Sequence, residues 1–391
     1  MYYVIPVVEG SGNLLMIKEI GSFMEQGISY LEHTDNDENI VLKEVDKYKK
    51  KYTYYTATGR DAIFLALDTI SKTYLSERKC CLVPIYICDM VLIPFQVLQW
   101  DIVYYHIDKD MQPKIDEMKK LLQLYKPNVV FLNDYFGRRI NSRVWKILEP
   151  YRDSTIIIED VTQSYYIHES HIKGDYIIGS IRKWYPIPDG GFLTCNDKIS
   201  VECINFNNEQ YVQERLEIMN QKYAYLQGNI KEEKEKKESK KRFLNNYYQL
   251  EENLNEYARN AMISPISNMS KCIINQLDLE YYRQKRYENC SYLKEQLLLK
   301  NKDYKLIYSE ENVPMGLYFP LLIKNRKEFQ TALIEQNIFT SIVWPFTDEY
   351  SQYFTEEEKY LQEHVISIPV DARYDINDME RILKAIEEFS N

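Results

Sequence analysis

From residue 60 onward the chain alternates between two hydrophobic periodicities. RDAIFLALDTI (60–70) sets Ile63, Leu67 and Ile70 on one face at helical spacing. CCLVPIY (80–86) holds a short apolar run ending at a proline and predicts a strand. MVLIPFQVL (90–98) follows as a helix, with Pro94 placed near its first turn, where proline is tolerated. The series continues as strand DIVYYHI, helix KIDEMKKLLQLY, strand NVVFLN, helix SRVWKILEPY and strand STIIIED. DYIIGSI and GGFLTCN close it, joined across a turn with two prolines and two glycines. Strands separated by helices of about 10–15 residues imply right-handed crossovers and a mostly parallel sheet. Strands this apolar are covered on both faces. The last two are close enough in sequence to pair antiparallel, which makes the sheet mixed.

A second, shorter alternation runs through YFPLLI, RKEFQTALIEQ, IFTSIVW and HVISIPV, and ends in the amphipathic helix NDMERILKAIEEF. The fold class expected is therefore α/β, with a large domain over residues 1–240, N-terminal segment included, and a smaller α/β domain over 241–391. Between them, NIKEEKEKKESKKRF (229–243) is a charge run of mixed sign. It reads as a solvated helix with i,i+4 pairs rather than a basic patch for a polyanion.

Composition narrows the function classes. The chain has 391 residues and a net charge of −10, which disfavours a nucleic-acid or anionic-membrane binder. The most apolar stretch, residues 80–100, is interrupted by Pro84, Asp89 and Pro94 and does not read as a membrane span. The seven cysteines form no C-x-x-C pair, and MYYVIPVVEG lacks a secretory pattern, so reduced thiols in a cytoplasm are expected. His168 and His171 in HESH have no third ligand at suitable spacing, and a polar loop is preferred to a metal site. Trp184 and Trp344 read as core or interface residues. No G-x-G-x-x-G follows a strand, which argues against a Rossmann dehydrogenase.

Ligands of open α/β sheets bind at the carboxyl ends of the strands. There the sequence places Asp160 with Gln163, Ser180 with Lys183, and Tyr86 with Cys88. Thr58-Gly59-Arg60 stands before the first long helix, where backbone N–H groups and a guanidinium suit a phosphate. One ligand uses all of these: a phosphate for Gly59, Arg60 and Ser180, an aldehyde for Lys183, and a basic ring nitrogen for Asp160. That ligand is pyridoxal 5'-phosphate. Read singly, each feature has a plainer account: a strand-end lysine reaching solvent, an Asp160 helix cap, a turn with a surface arginine.

TGRDAIFLAL, LVPIYICDMVLIPF, IIIEDVTQSY and DYIIGSIRKWYPIPDGG resemble, in order and spacing, the motifs of the DegT/DnrJ/EryC1/StrS aminotransferases. NIFTSIVWP and VISIPVDARYD are similar to later segments of the same family. The resemblance implies a fold-type-I pyridoxal phosphate enzyme. It implies Lys183 as the Schiff-base lysine, Asp160 at the pyridine nitrogen and Gln163 beside the ring's phenolic oxygen. Thr58, Gly59, Arg60 and Ser180 would hold the phosphate, and a homodimer would share active sites through residues near Ser267, Asn268 and Met269. Three positions depart from the family's pattern. Arg60 replaces a small hydroxyl residue and has either the phosphate or a substrate to bind. Cys88 stands where a ring-stacking aromatic is usual, with Tyr86 two residues before it. The spacing from Ser180 to Lys183 is short. Arg373 in DARYD is a candidate for a substrate carboxylate or for a surface ion pair. The expected activity is transamination from glutamate to a keto or aldehyde acceptor of sugar type. Another pyridoxal phosphate reaction, such as dehydration or decarboxylation, and a non-catalytic binding module are the alternatives.

Overall fold

Apolar runs of the first half assemble into one seven-stranded sheet, as a computed structural model of the chain shows. The structure describes residues 18–27, 45, 47–74, 78–166, 172–228, 232–299, 304–307 and 315–389. Numbering strands in chain order with β1 (Ile20–Gly21) first, the sheet contains β2 (Tyr52–Thr56), β3 (Cys80–Pro84), β4 (Asp101–Tyr105) and β5 (Val129–Asn133). It is completed by β6 (Ile156–Asp160), β7 (Tyr176–Gly179) and β8 (Gly191–Cys195), in the spatial order β2-β8-β7-β6-β5-β3-β4. The pairs from β4 through β7 are parallel, whereas β8 runs antiparallel to both β7 and β2. The mixed sheet is the one expected, except that β2 was not read from the sequence.

Strands β3, β5, β7 and β8 are buried along their whole length, because helices cover the sheet. Helix α1 (Gly59–Tyr74) buries the predicted Ile63, Leu67 and Ile70 face, and packs on β8 and β7. Next come α2 (Asp89–Val97), α3 (Ile115–Tyr125) and α4 (Ser142–Leu148), each where periodicity placed a helix. Pro94 lies inside α2, deeper than its first turn, and the helix ends soon after it. Two long helices, α5 (Glu209–Leu226) and α6 (Glu233–Arg259), pack on each other, and α6 also packs on α2. The charge run of 229–243 enters α6 as a largely exposed first half, as expected of a solvated helix.

A boundary at residue 240 falls inside α6. Residues of α5, α6 and α7 (Asn268–Gln276) share one core with Trp184, Tyr185 and Phe192 of the sheet region. The second layer is built from α8 (Leu279–Leu298), the antiparallel strands β9 (Tyr304–Leu306), β10 (Phe319–Ile323) and β12 (Val365–Ile368), α9 (Arg326–Glu335), and a closing amphipathic helix α12 (Ile376–Phe389). Two short helices, α10 (Asp348–Ser351) and α11 (Glu356–His364), lie between α9 and β12. IFTSIVW yields only a two-residue strand, β11 (Ile338–Phe339), and β11 pairs with β1. The N-terminal segment thus joins the second layer. No disulfide joins the seven cysteines, and no described helix is long and apolar enough to cross a membrane.

Arg373 fastens that N-terminal segment. Its guanidinium meets Asp371 at 2.7 and 2.9 Å and Glu25 at 3.0 Å, and donates to the carbonyls of Phe23 and Ser22. Lys222 of α5 reaches the same Glu25 at 3.2 Å. Burial pushes the Glu25 and Asp371 carboxyls up, but the cations beside them more than offset this, and Asp371 is brought down to about 2. An ion pair, one of the two readings of Arg373, is formed here, and it is largely buried rather than at the surface. Truncating one member of such a network strands the others. Arg373→Ala should lower unfolding free energy by about 3–5 kcal/mol in a denaturant titration. Unchanged stability would show that the network holds nothing.

Candidate active site

The site begins with a capped helix. Thr58 precedes α1, and its backbone N–H donates to Asp61 Oδ2 at 3.1 Å while the Asp61 N–H donates to Thr58 Oγ1 at 3.2 Å. The first turn of a helix has no internal partners for its N–H groups. With Thr58 and Asp61 satisfied by each other, the N–H groups of Gly59 and Arg60 remain directed out of the helix end. Ser180 stands beside them: a Cβ built on Gly59 would lie 3.4 Å from Ser180 Cβ. The chain crosses itself here. A Cβ on Gly191 would lie 2.3 Å from the Thr58 carbonyl, so β8 can begin against this turn only as glycine.

Next to that corner the sheet delivers an acid, an amide and a lysine. Strand β6 ends in Asp160, in register with Asn133 of β5. Asp160 Oδ1 accepts the Thr162 N–H at 2.8 Å. Burial pushes its carboxyl up, against the opposing pull of the Thr162 hydrogen bonds and Lys183. Asn133 is buried, and its Nδ2 has no hydrogen-bond partner among the described residues. After β7 the chain makes a short 3-10 turn, Ile181–Lys183, fixed by the Arg182 N–H donating to Gly190 at 3.1 Å. The Lys183 side chain reaches solvent, yet protein surrounds it closely enough that lost hydration lowers its pKa. Cys88 and Asp160 oppose that shift and Arg182 adds to it.

The basic pair in GSIRKWYP therefore divides its work. Arg182 turns to α6, where Glu251 receives it at 2.9 and 3.0 Å in a two-pronged contact. Lys183 is left with Asp160 and Cys88 as neighbours. Gln163 is buried with its Oε1 accepting the Phe136 N–H at 2.7 Å, which turns Nε2 the other way. Cys88, just before α2, is half-buried within the field of both Lys183 and Arg60. Lysine, Asp160, Gln163, Cys88, Gly59 and Ser180 thus share one end of the sheet.

Three candidates lie elsewhere. Tyr86 is buried among Tyr135, Trp344, Phe346 and Phe354, with its hydroxyl donating to Val343 at 3.2 Å; it belongs to the aromatic packing. The Arg60 guanidinium donates to Asn255 of α6 and meets Met90 Sδ at 3.7 Å, so in this arrangement it faces α6 and α2. Arg373 is engaged by Asp371 and the N-terminal segment, as described above. Ser267 caps α7 and is held by Asp189 at 2.6 Å, so the Ser267–Met269 stretch is tied to the glycine turn of its own chain. Trp184 is core, its Nε1 donating to Thr162 at 2.8 Å and its ring lying under the Arg286 guanidinium. His168 and His171 lie outside the described residues, among which no cluster of candidate metal ligands occurs.

Sequence reasoning did not single out Asp189, Glu251 or Asn255. Asp189 accepts hydrogen bonds from Asn208, Ser267 and Ser270 and joins the glycine turn to α7. Its signal was present in the D-G-G turn. Glu251 and Asn255 sit at i,i+4 on a charged helix, and nothing in that spacing says which cation they meet.

No protein-family model and no curated protein matches the chain. Solved structures do. A DegT DnrJ EryC1 StrS aminotransferase from Brucella abortus aligns with TM-score 0.63 and 15% identity, over 89% of each chain. The sugar aminotransferase CalS13 from Micromonospora echinospora aligns with TM-score 0.61 and 11% identity, over 96% of this chain and 100% of that one. The E. coli GDP-4-keto-6-deoxy-D-mannose-3-dehydratase with bound hydrated PLP gives TM-score 0.60 and 14% identity, over 88% and 89%. At these identities the likeness is one of fold, and the chain has the fold-type-I architecture that its motifs led us to expect.

The helix cap makes a pH prediction. Burial raises the Asp61 carboxyl from 3.8 to about 7. Between those values the folded state binds more protons than the unfolded one, so stability falls as pH rises. Asp61→Asn removes that contribution. From pH 4 to pH 8 the variant should gain stability over the parent by on the order of 4 kcal/mol at most, in paired urea titrations. Parallel curves for the two proteins would contradict the assignment.

Proposed function

We propose that the chain is a pyridoxal phosphate-dependent aminotransferase of the DegT/DnrJ/EryC1/StrS kind, with glutamate as amino donor and a keto or aldehyde sugar as acceptor. The observation that carries this reading is the Lys183 amine beside buried Asp160, one turn away from the anion-suited corner of Gly59 and Ser180. The residues fit the cofactor: a lysine with a lowered pKa, a carboxylate buried at a strand end, and outward N–H groups next to a hydroxyl. Bound there, pyridoxal phosphate supplies a reactive carbonyl and a ring that accepts electrons.

The chain's own residues have separable roles. Lys183, kept partly dehydrated, would offer a neutral amine and move a proton at the substrate carbon. Asp160 would keep its charge for a protonated ring nitrogen, and Thr162 holds that carboxylate in place through its N–H. The unpartnered Asn133 Nδ2 lies at the adjacent strand end as a further donor. Gln163 would direct its Nε2 to the ring oxygen, because Oε1 is already committed to Phe136. The Gly59 and Arg60 N–H groups and the Ser180 hydroxyl would receive the phosphate. Dehydratase chemistry shares this fold in the E. coli relative, so reaction class rests on the test below. The homodimer with shared sites belongs to the same proposal.

A donor-only incubation tests it. The cofactor-loaded protein should release about one equivalent of 2-oxoglutarate per site from glutamate and then stop. Asp160→Ala should slow this half-reaction by about a hundred- to a thousandfold while still taking up cofactor. Loaded protein that leaves glutamate, glutamine and other common donors unaltered would overturn the aminotransferase reading. Turnover of a keto-sugar with no amino donor would assign dehydration instead.

A further inference from the structure

Arg286 of α8 is 2% exposed. A guanidinium that deep is costly unless it is paired, and a carboxylate is its ordinary partner. Among the described residues, however, the hydrogen bonds of Arg286 go to main-chain carbonyls. Its Nη1 donates to Leu317 at 2.6 Å and reaches the Gly316 carbonyl at 3.5 Å. Its Cζ also lies 4.5 Å from the centre of the Trp184 ring. One buried cation of the second layer thus grips the Gly316–Leu317 segment and a tryptophan of the lysine turn together.

Everything it grips leads to Gln163 through direct contacts. The Leu317 N–H donates to the Gln163 carbonyl at 3.1 Å. Gly316 is pressed on Phe136: a Cβ built on Gly316 would lie 2.2 Å from the Phe136 carbonyl oxygen. Phe136 has φ 51°, a left-handed conformation that a phenylalanine seldom adopts. Held that way, its N–H donates to Gln163 Oε1 at 2.7 Å. Trp184 Nε1 donates to the carbonyl of Thr162, one residue before Gln163, at 2.8 Å. We propose that Arg286 is a positioning residue for Gln163. By holding Gly316, Leu317 and Trp184 it fixes the Gln163 main chain and keeps Phe136 on Oε1, which leaves Nε2 to face the cofactor ring. That purpose rests on the function proposed above, whereas the hold itself can be read without a cofactor.

Two measurements test it, both on the full chain. The first is hydrogen exchange by mass spectrometry after the protein has been treated with hydroxylamine and dialysed. Arg286→Met should speed exchange about tenfold in the peptides that carry the Phe136 and Leu317 amides, and leave β12 and β3 as in the parent. A merely structural role would loosen β10 and β12 as well. The second is a double-mutant cycle on pyridoxal phosphate affinity, read by equilibrium dialysis. Arg286→Met alone should weaken uptake by roughly three- to fivefold, about what one hydrogen bond contributes. In a Gln163→Ala background that further loss should shrink to within about twofold, but it should persist in full in Ser180→Ala. The lost charge acts on a bound anion whether or not Gln163 is present, so a purely electrostatic effect would survive in both backgrounds. Arg286→Lys keeps the charge but not the planar fork. It should move both readouts in the same direction as Arg286→Met, and it replaces that variant if the latter does not accumulate as folded protein. Unchanged exchange at Phe136 and Leu317, or equal losses with and without Gln163, overturns the proposal. Failure of the parent to take up pyridoxal phosphate would instead overturn the proposed function, and the exchange comparison would still decide whether Arg286 holds this segment.

Discussion

At the crossing of Ala57–Gly59 with Gly190–Gly191 there is no room for a side chain. The Gly190 N–H donates to the Ala57 carbonyl at 2.6 Å, and a Cβ on Gly191 would overlap the Thr58 carbonyl. This contact fixes α1 relative to the turn that carries Lys183. Because β8 runs antiparallel between β7 and β2, the turn after β7 must return past the start of α1. The helix end with its outward N–H groups and the lysine turn are then neighbours by topology. Asp189, one residue before the crossing, extends the same joint to α7 through Ser267 and Ser270.

Charge burial is the second constraint. Fully buried carboxylates and guanidiniums are costly unless each has a partner. Glu251 between Arg182 and Arg215 has its carboxyl brought down to about 2, since those two cations more than offset its burial. In contrast, burial raises the Asp134 and Glu159 carboxyls, Asp134 well above its ordinary range and Glu159 to about 7. Of the three acids at the ends of β5 and β6, Asp160 is the one with Lys183 among its charged neighbours. Carboxyls raised in this way compete less with Asp160 for a cation.

Strands and helices of the first half were legible because each apolar run is short, bounded and buried on both faces, as in CCLVP and IIIED. Strand β2, YTYYT, escaped notice because its half-buried tyrosines give no such run. IFTSIVW looked like a strand and mostly is not: Ile338 and Phe339 pair with a segment more than three hundred residues earlier in the chain, and Ser341 makes a single bridge to Ser367. The boundary at 240 followed charge rather than packing. Charge marks the solvated face of α6, while its apolar face, with Phe243, Leu250 and Leu254, stays in the core of the large sheet. At the site, strand-end logic placed Asp160, Gln163, Ser180 and Lys183, because strand ends converge whatever the side chains do. It misplaced Tyr86, whose direction depends on which face of the turn meets residues 343–354. The partners of Arg60, Arg182 and Arg373 were out of reach for the same reason: long side chains choose among acids brought near only by the tertiary fold.

The proposed function depends on a division of labour between two adjacent cations, Arg182 held as an ion by Glu251 and Lys183 proposed as the reactive amine. Borohydride reduction of the chain incubated with pyridoxal phosphate, followed by peptide mapping, measures it directly. A pyridoxyl group on Lys183, lost when the same treatment is applied to Lys183→Arg, is the result the account predicts. Labelling of some other lysine with Lys183 untouched, or no stable uptake of the cofactor, would contradict it.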